Sequence, residues 1–447
     1  MKRYVYIATP MTGALLAIAY TALLLYWMRR IPFFSRVPGL NMRWVAGLFV
    51  VKILAGTALW AVYTYIYTDR HTADVFKYFD DSAVMHNALF DRPMDYLRMV
   101  LSIGNDTPYF TGKYYAVMNN WIRQFENNIY NDSHTMIRLN AVMRLFSFGH
   151  YHVHTVFACF LSTTGLVALF RTFAPLVRGL ERGLILGVFL WPSLLFWASG
   201  VLKESLLIFG LGLFMIGVIG LPMDRHRWRA ILAIVIGLSI MLVVKFYVLF
   251  CLLPGLAALL WHRRSGGNAI LKSVAVHALA VAVVVFSGTV LPGYDVLELL
   301  ALKQRDFIGM ATAVQSGSYV QLPLLESDIW SFARNAPHAL YMTLLSPIAA
   351  LGTGALGWVS AAENALLVLV PVIALRYRRP WSKVDKPLLF FCLSFILLLA
   401  LLIGWTVPVI GALVRYRIPL LPFFSLAMLL LVDAQRLPRC LPFIART

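Results

Sequence analysis

Acidic side chains are scarce in this chain: its 447 residues carry 20 Asp and Glu against 39 Lys and Arg, a formal net charge of +19, and only 13% are charged at all. No GxxxxGKS phosphate loop and no GxSxG turn is present, so nothing argues for a cytoplasmic nucleotide site or a hydrolase elbow. Cysteine is equally sparse. Cys159, Cys251, Cys392 and Cys440 lie in apolar segments or the tail without CxxC spacing, so neither a disulfide framework nor a zinc site is expected from them. No repeat of about 20–50 residues and no low-complexity linker interrupts the chain, which reads as a single integral-membrane domain over 1–447.

Apolar residues are abundant. At 60% hydrophobic and a mean hydropathy of +0.75, the chain has more apolar surface than a soluble core of this length can bury, so lipid must cover the rest. The expected fold is all-α: a polytopic transmembrane bundle of about 11 helices (about 10–13), with extracytoplasmic loops that contain interfacial helices. The basic residues form short clusters between apolar runs, as the positive-inside rule requires, instead of a stripe interleaved with aromatics. Nucleic acid is therefore not an expected partner.

Apolar runs of spanning length fall near 5–27, 44–67, 152–170, 183–201, 205–221, 230–245, 246–262, 273–292, 357–375, 387–405 and 417–433. The first is too long for a signal peptide, lacks a small-x-small cleavage site and ends in Arg29-Arg30, so it reads as a retained helix. Arg- or Lys-rich connections follow the first, third, fifth, seventh and ninth runs, and with the Arg436 and Arg439 tail they are expected on the cytoplasmic side. That alternation requires the segment 338–354 to enter the outer face without crossing. Crossing there would place the five-charge loop 376–386 outside. Two long loops, 68–151 and 293–356, then face the extracytoplasmic side. Apolar spacing within the first predicts short helices at 74–90 and 136–148 that lie at the interface.

The densest group of acids begins where the second run ends, in DRHTADVFKYFDD at 69–81, with Asp69, Asp74, Asp80 and Asp81. On a helix, Asp74, Tyr78 and Asp81 share one face. A carboxylate beside aromatic rings at the water–lipid boundary can have its proton affinity tuned and act as a general base, whereas a solvated helix-capping role needs no chemistry. In WPSLLFWASGVLKESL at 191–206, Lys203 and Glu204 sit between two apolar runs, where ionisable residues mark a polar cavity or an ion pair; a structural turn at the outer interface is the plainer reading. Adjacent on a helix, the two diverge by about 100°, so they are expected to have different partners. Lys245 is either a snorkelling lysine or one that holds a lipid phosphate. Arg415 and Arg417 face the outer side in this topology, against the charge bias, and an anionic ligand bound by paired hydrogen bonds accounts for them. His150, His152 and His154 read as interfacial packing rather than a metal site, and Glu363 as an intramembrane acid with either a function or an ion-pair partner.

Three of these pieces resemble the integral-membrane glycosyltransferases of the C superfamily, which include protein O-mannosyltransferases and bacterial arabinosyl and aminoarabinose transferases. They are Asp74 with Tyr78 in ADVFKYF, the Pro-Ser…Trp…Gly…Lys-Glu run ending at Lys203-Glu204, and the Arg-Tyr-Arg…Pro…Pro segment from Arg415 to Pro422. The resemblance implies a polyprenyl-phosphate-linked sugar donor and an acceptor glycan, lipid or protein. It also implies that Asp74, with Asp80 and Asp81 as the neighbouring catalytic candidates, deprotonates the acceptor as it attacks the anomeric carbon with inversion. Tyr78, Lys203, Glu204, Lys245, Arg415 and Arg417 are then the substrate-binding candidates, and the four basic residues are those that meet the lipid phosphate. No resident cofactor is assigned, although a divalent cation is compatible with the chemistry. The extra helix at 5–27 departs from the pattern and leaves open whether Asp74, Asp69 or Asp80 fills the base position, and without a sizeable soluble C-terminal domain the acceptor is expected to be recognised by the loops and bundle. The implied location is a bacterial inner membrane. An O-antigen-type polymerase or ligase, a lipid-linked-glycan transporter or flippase, and a non-catalytic membrane subunit are the competing readings.

Overall fold

A computed structural model describes residues 10–122, 131–221, 227–291, 293–346 and 355–437. In chain order come α1 (Pro10–Arg30), the single turn α2 (Pro32–Ser35) and α3 (Met42–Tyr65). The first long loop folds as α4 (Asp74–Asp91), α5 (Pro93–Leu101), α6 (Pro108–Lys113) and α7 (Ser133–Ser147). Next are α8 (Tyr151–Phe173), α9 (Glu181–Phe189), α10 (Pro192–Trp197), α11 (Lys203–Gly220) and α12 (Arg227–Ser265). The remainder comprises α13 (Ala269–Val285), α14 (Ser287–Val290), α15 (Val296–Ala313), α16 (Ile329–Leu344), α17 (Ala355–Arg376), α18 (Lys386–Thr406), α19 (Ile410–Tyr416) and α20 (Leu421–Leu431).

The chain is all-α: among the described residues the only strand-like pairings are three isolated bridges. Among the described residues eight helices are long and apolar enough to cross a bilayer, which makes this an integral membrane protein. The eight differ from the eleven expected runs for identifiable reasons. Run 183–201 is split, because α9 ends at Phe189 and Pro192 starts the separate turn-and-a-half of α10. Runs 230–245 and 246–262 appear as two helical stretches of the 39-residue segment α12, which meet at a kink where Lys245 is extended (φ −154°, ψ 77°), so they count as one among the eight. The run at 273–292 folds as the 17-residue α13, about 26 Å long.

The described chain divides into two compact units. The first contains Met1–Gln124, Asn128–Arg171 and Leu195–Val244. Its membrane helices are α1, α3, α8, α11 and the half of α12 before Lys245. Glycines bring some of them into backbone contact: a Cβ at Gly165 on α8 would lie 2.2 Å from Ile208 O on α11, and one at Gly212 would lie 2.2 Å from Gly165 O. Small residues at such crossings let helices approach when lipid offers no hydrophobic push between them. The helices of the first loop pack over one end of this group. Tyr151, at the start of α8, has its ring 5.4 Å from Phe76 and 5.3 Å from Phe79, and Thr135 Oγ1 donates to Val243 O at 3.2 Å. Helices α4 and α7 fall where the apolar spacing placed them. At the opposite end of α8, Arg171 donates to Phe33 O and Arg36 O, so two expected cytoplasmic connections meet.

The second unit is built mainly from Thr172–Leu194 and Lys245–Thr447. In it α13 and α18 run parallel from a common start: His277 and Ser394, each eight residues past its helix start, share a 2.6 Å hydrogen bond. Helix α16 runs antiparallel to the far end of α18. Phe332 meets Trp405 with ring centroids 5.1 Å apart, and Thr343 Oγ1 donates to Ala400 O at 2.7 Å. Near the start of α18, Asp433 N donates to Tyr377 O at 2.9 Å and Arg379 Nε to Val432 O at 3.0 Å, joining the loop after α17 to the chain after α20. The expected re-entrant segment 338–354 lies partly outside the described residues.

Candidate functional site

In the first unit the acidic cluster resolves into three distinct roles. Asp80 is taken by Arg70 in a two-pronged pair, with Arg70 Nε to Oδ2 and an Arg70 Nη to Oδ1, both 2.7 Å, at the surface. Asp81 is buried, and its two oxygens accept from the backbone amides of Asn119 and Asn120 at 2.8 Å each. Burial pushes the Asp81 carboxyl above the usual range, reinforced by Asp80, while the two amide bonds and Lys77 oppose it. Its geometry is that of a tie between α4 and the 118–121 turn. Asp74, the first residue of α4, is half-buried and stands in the first turn, where an ionised carboxylate is favoured by the helix dipole.

Tyr78, one turn further along α4, is fully buried. Over its ring, 5.4 Å from the centroid, lies the ammonium of Lys203, the first residue of α11. Lys203 also donates to Asp132 Oδ1, immediately before α7. Glu204 is fully buried beside it on the chain. Four residues from three separate stretches, Tyr78, Asp132, Lys203 and Glu204, thus bring ionisable groups to the start of α11, with all but Asp132 shielded from water. The helices around them are fixed by a second buried cation: Arg144 Nε donates to Ser82 Oγ at 2.8 Å and an Nη to Phe79 O at 2.6 Å, with the guanidinium 4.1 Å from the Phe79 ring. Burial lowers the Arg144 guanidinium to about 10. Further out, Asp95 Oδ2 accepts from the hydroxyls of Tyr109 and Tyr114 at 2.7 and 2.8 Å. Burial acts to raise the Asp95 carboxyl, but those two bonds with the charges of Lys113 and Arg92 outweigh it and hold the group below its usual range.

Below this group the chain between α10 and α11, residues 198–202, is not helical, and side chains satisfy its carbonyls. Ala198 O accepts from Lys52 Nζ at 2.9 Å and from Ser162 Oγ at 2.6 Å. Ser199 O accepts from Cys159 Sγ at 3.0 Å, and Gly200 O from Ser205 Oγ at 2.8 Å. A bilayer offers no water to these groups, so the break persists only because α3, α8 and α11 supply donors. Lys52 is 1% exposed and stands about 15 Å along α3. The sequence reading passed over it, although a lone lysine in the apolar run FVVKILAG is the intramembrane-charge signal itself. Asp132 was missed too; NDSHT before an apolar helix carries the ordinary signature of a helix start.

The other candidates lie in the second unit. Lys245, at the break in α12, has its ammonium 3.8 Å from the Tyr416 ring centroid and is 5% exposed; the guanidinium carbon of Arg415 lies 6.0 Å from the same ring. Arg417 differs from both. It is fully buried and donates to Glu363 Oε1 at 2.8 Å and to Thr343 O at 3.0 Å. Glu363 is fully buried as well, and Ser193 completes it through N to Oε2 at 2.6 Å and Oγ to Oε1 at 2.7 Å. Of the two roles open to Glu363, the ion pair is the one found, and it takes the Arg417 charge that the outer-arginine reading offered to phosphate. His154 is held between Asn140 Oδ1 and Ser147 Oγ at 2.7 Å each, and His152 packs edge-on to Trp60. Among the described residues no group of three or more His, Cys, Asp or Glu side chains converges as metal ligands would.

Comparison with protein-family models, with curated proteins and with solved structures found no match to this chain.

Proposed function

We propose that the protein is a membrane glycosyltransferase that moves a sugar from a polyprenyl-phosphate donor to an acceptor at the extracytoplasmic face. One observation carries this reading: the polar first loop is a folded cap tied to a spanning helix through the ion pair of buried Lys203 with part-exposed Asp132, beside the buried Tyr78 and Glu204. Such a cap holds ionisable groups out of water at the level of a lipid headgroup, where the sugar of a lipid-linked donor resides. In the reaction the acceptor hydroxyl oxygen bonds to the anomeric carbon as the bond from that carbon to the phosphate oxygen breaks, with inversion. Asp74 takes the hydroxyl proton, and the polyprenyl phosphate leaves with the bonding electrons. The departing phosphate is assigned to a cation, either Lys203 in the first unit or Lys245 and Arg415 in the second. Arg417 is spent on Glu363.

Eleven crossings fit this orientation. The parallel start of α13 and α18 supports an even number of crossings from the one start to the other, and α13 and α17 supply two. With α9 and α10 forming one crossing and α12 two, every Arg- and Lys-rich connection lies on one side, the cytoplasmic side of a bacterial inner membrane. The test is transfer by purified protein in lipid. Asp74→Asn lowers the rate about 10²–10⁴-fold with folding intact, the usual contribution of a general base; retained transfer points to a polymerase or ligase that does not use this acid.

A second reading has a specific observation in its favour. The unwound stretch 198–202 and the buried Lys52 are what a lipid-linked-glycan carrier uses at membrane depth. Lys52→Met separates the two: translocation of a lipid-linked glycan by the wild type that this change abolishes identifies a carrier, and glycosyl transfer that survives it without any translocation identifies an enzyme.

A further inference from the structure

Two connections that the charge pattern assigns to the same side of the membrane, Arg263–Lys272 and Arg376–Lys386, are more than a hundred residues apart in sequence, yet in the second unit they wall one open cavity of about 860 Å³. Its lining includes His262, Arg263, Asp385 and Lys386, with the backbone of Gly266 and Gly267, both of which adopt the left-handed conformation (φ 61° and 77°). The cavity stands where three apolar helices meet the aqueous boundary: α12 ends at Ser265, α13 begins at Ala269 and α18 at Lys386. Trp261 and Trp381 flank it, 47% and 51% exposed, in the manner of interfacial tryptophans, with Lys272 and Lys386 lying 5.1 and 5.6 Å from their respective ring centroids.

The charge at this place is one-sided. Among the described residues, neither Arg263 nor Lys386 pairs with a carboxylate, and Asp385, the acid in the wall, is engaged at the start of α18 by the Leu388 amide at 3.1 Å. The first amides of α13 are likewise already capped, by Asn268 Oδ1 at 2.9 and 3.2 Å, so recognition falls to the side chains and not to a helix end. His262 Nδ1 is buried without a hydrogen-bond partner in the same wall. Basic pockets between transmembrane helices at this level of the bilayer suit anionic headgroups, because the phosphate meets cations while its acyl chains stay beside apolar helix faces.

We propose that this cavity binds a phosphate group, that of an anionic phospholipid headgroup or of a free phosphate, through Arg263, Lys386 and His262. The site is independent of the reaction proposed above and lies on the side expected to be cytoplasmic. Native mass spectrometry of the full-length protein tests it after exchange into mixed phosphatidylglycerol and phosphatidylcholine. The expected result is at least tenfold preferential retention of phosphatidylglycerol, lost in Arg263→Gln/Lys386→Gln and kept in the control Arg29→Gln/Arg30→Gln, whose basic pair lies after α1. If millimolar inorganic phosphate displaces the lipid in the wild type, a soluble anion is the occupant of the same site; if it does not, the lipid headgroup is. Equal retention by the double variant and the wild type, each confirmed as folded by its unfolding temperature, or no preference over phosphatidylcholine, overturns the proposal.

Discussion

Replacing Glu363 by Gln removes one charge from a pair in which both side chains are wholly inaccessible, and the structure specifies what else is lost. The carboxylate accepts at both oxygens: from Arg417 and Ser193 Oγ at Oε1, and from the Ser193 amide at Oε2. An amide accepts at one oxygen only, so whichever way the Gln turns, its NH₂ faces a donor. Arg417 keeps its bond to Thr343 O but becomes a buried cation with no counter-charge from Glu363. Breaking a buried pair from one side costs about 3–5 kcal/mol. By the scaling for units of about 150–250 residues, that is a fall of about 6–20 °C in unfolding temperature. Replacing both partners, Glu363→Gln with Arg417→Met, removes the stranded charge and is expected to recover much of the loss, giving a coupling energy of about 0.5–3 kcal/mol. Thermal unfolding in one detergent, with tryptophan fluorescence as the readout, measures all three variants. A fall below 2 °C for Glu363→Gln, or a double variant that equals the two single losses added together, refutes the account of this network.

Four further outcomes are expected. Gly165→Ala places a methyl within 2.2–2.6 Å of the Ile208 and Phe209 backbone, which no side-chain movement relieves, and destabilises the α8–α11 crossing by about 1–3 kcal/mol in an unfolding assay. Asp95 has a depressed carboxyl, so its stabilisation is present above the ordinary carboxylate value of about 3.9 and is lost as pH falls through the lower folded value. Hydrogen-exchange protection in 93–115, measured against the intrinsic rate at each pH, should therefore fall in acid, and Asp95→Asn should flatten that dependence while weakening the loop at neutral pH. Lys52→Met removes one of two donors to Ala198 O and leaves Ser162 in place, so its cost in thermal unfolding is expected to stay within about 1.5 kcal/mol. Arg144→Met removes the tie from α7 to Phe79 O and Ser82 Oγ, while Phe79 O keeps its bond from Ser82 Oγ, and limited proteolysis should find the first loop cleaved faster with the spanning helices intact.

Much of this architecture was legible because the bilayer constrains sequence strongly. Apolar runs of spanning length follow from composition, and α4 and α7 appear where apolar spacing put them. The separation of α9 from α10 was less legible: Pro192 signals a loosened helix, but whether a run breaks depends on neighbours that satisfy the exposed carbonyls. The acids of the first loop show the same limit. Asp74, Asp80 and Asp81 look alike in a row of residues, yet one meets an arginine ten positions away and another two amides nearly forty positions away.

Composition and charge order alone thus determined that this is an all-helical membrane protein, because lipid must cover apolar surface and positive charge resists crossing the bilayer. Only the tertiary structure decided what each ionisable residue does. At 5–9% exposure or less, Lys203, Lys245, Arg415 and Arg417 are four equally costly cations; Arg417 became an ion pair with Glu363 and Lys203 a tie to Asp132, while Lys245 and Arg415 flank Tyr416. The desolvation of a charge is set by its own burial, but its compensation comes from partners that the chain brings in from elsewhere, and no local pattern encodes them.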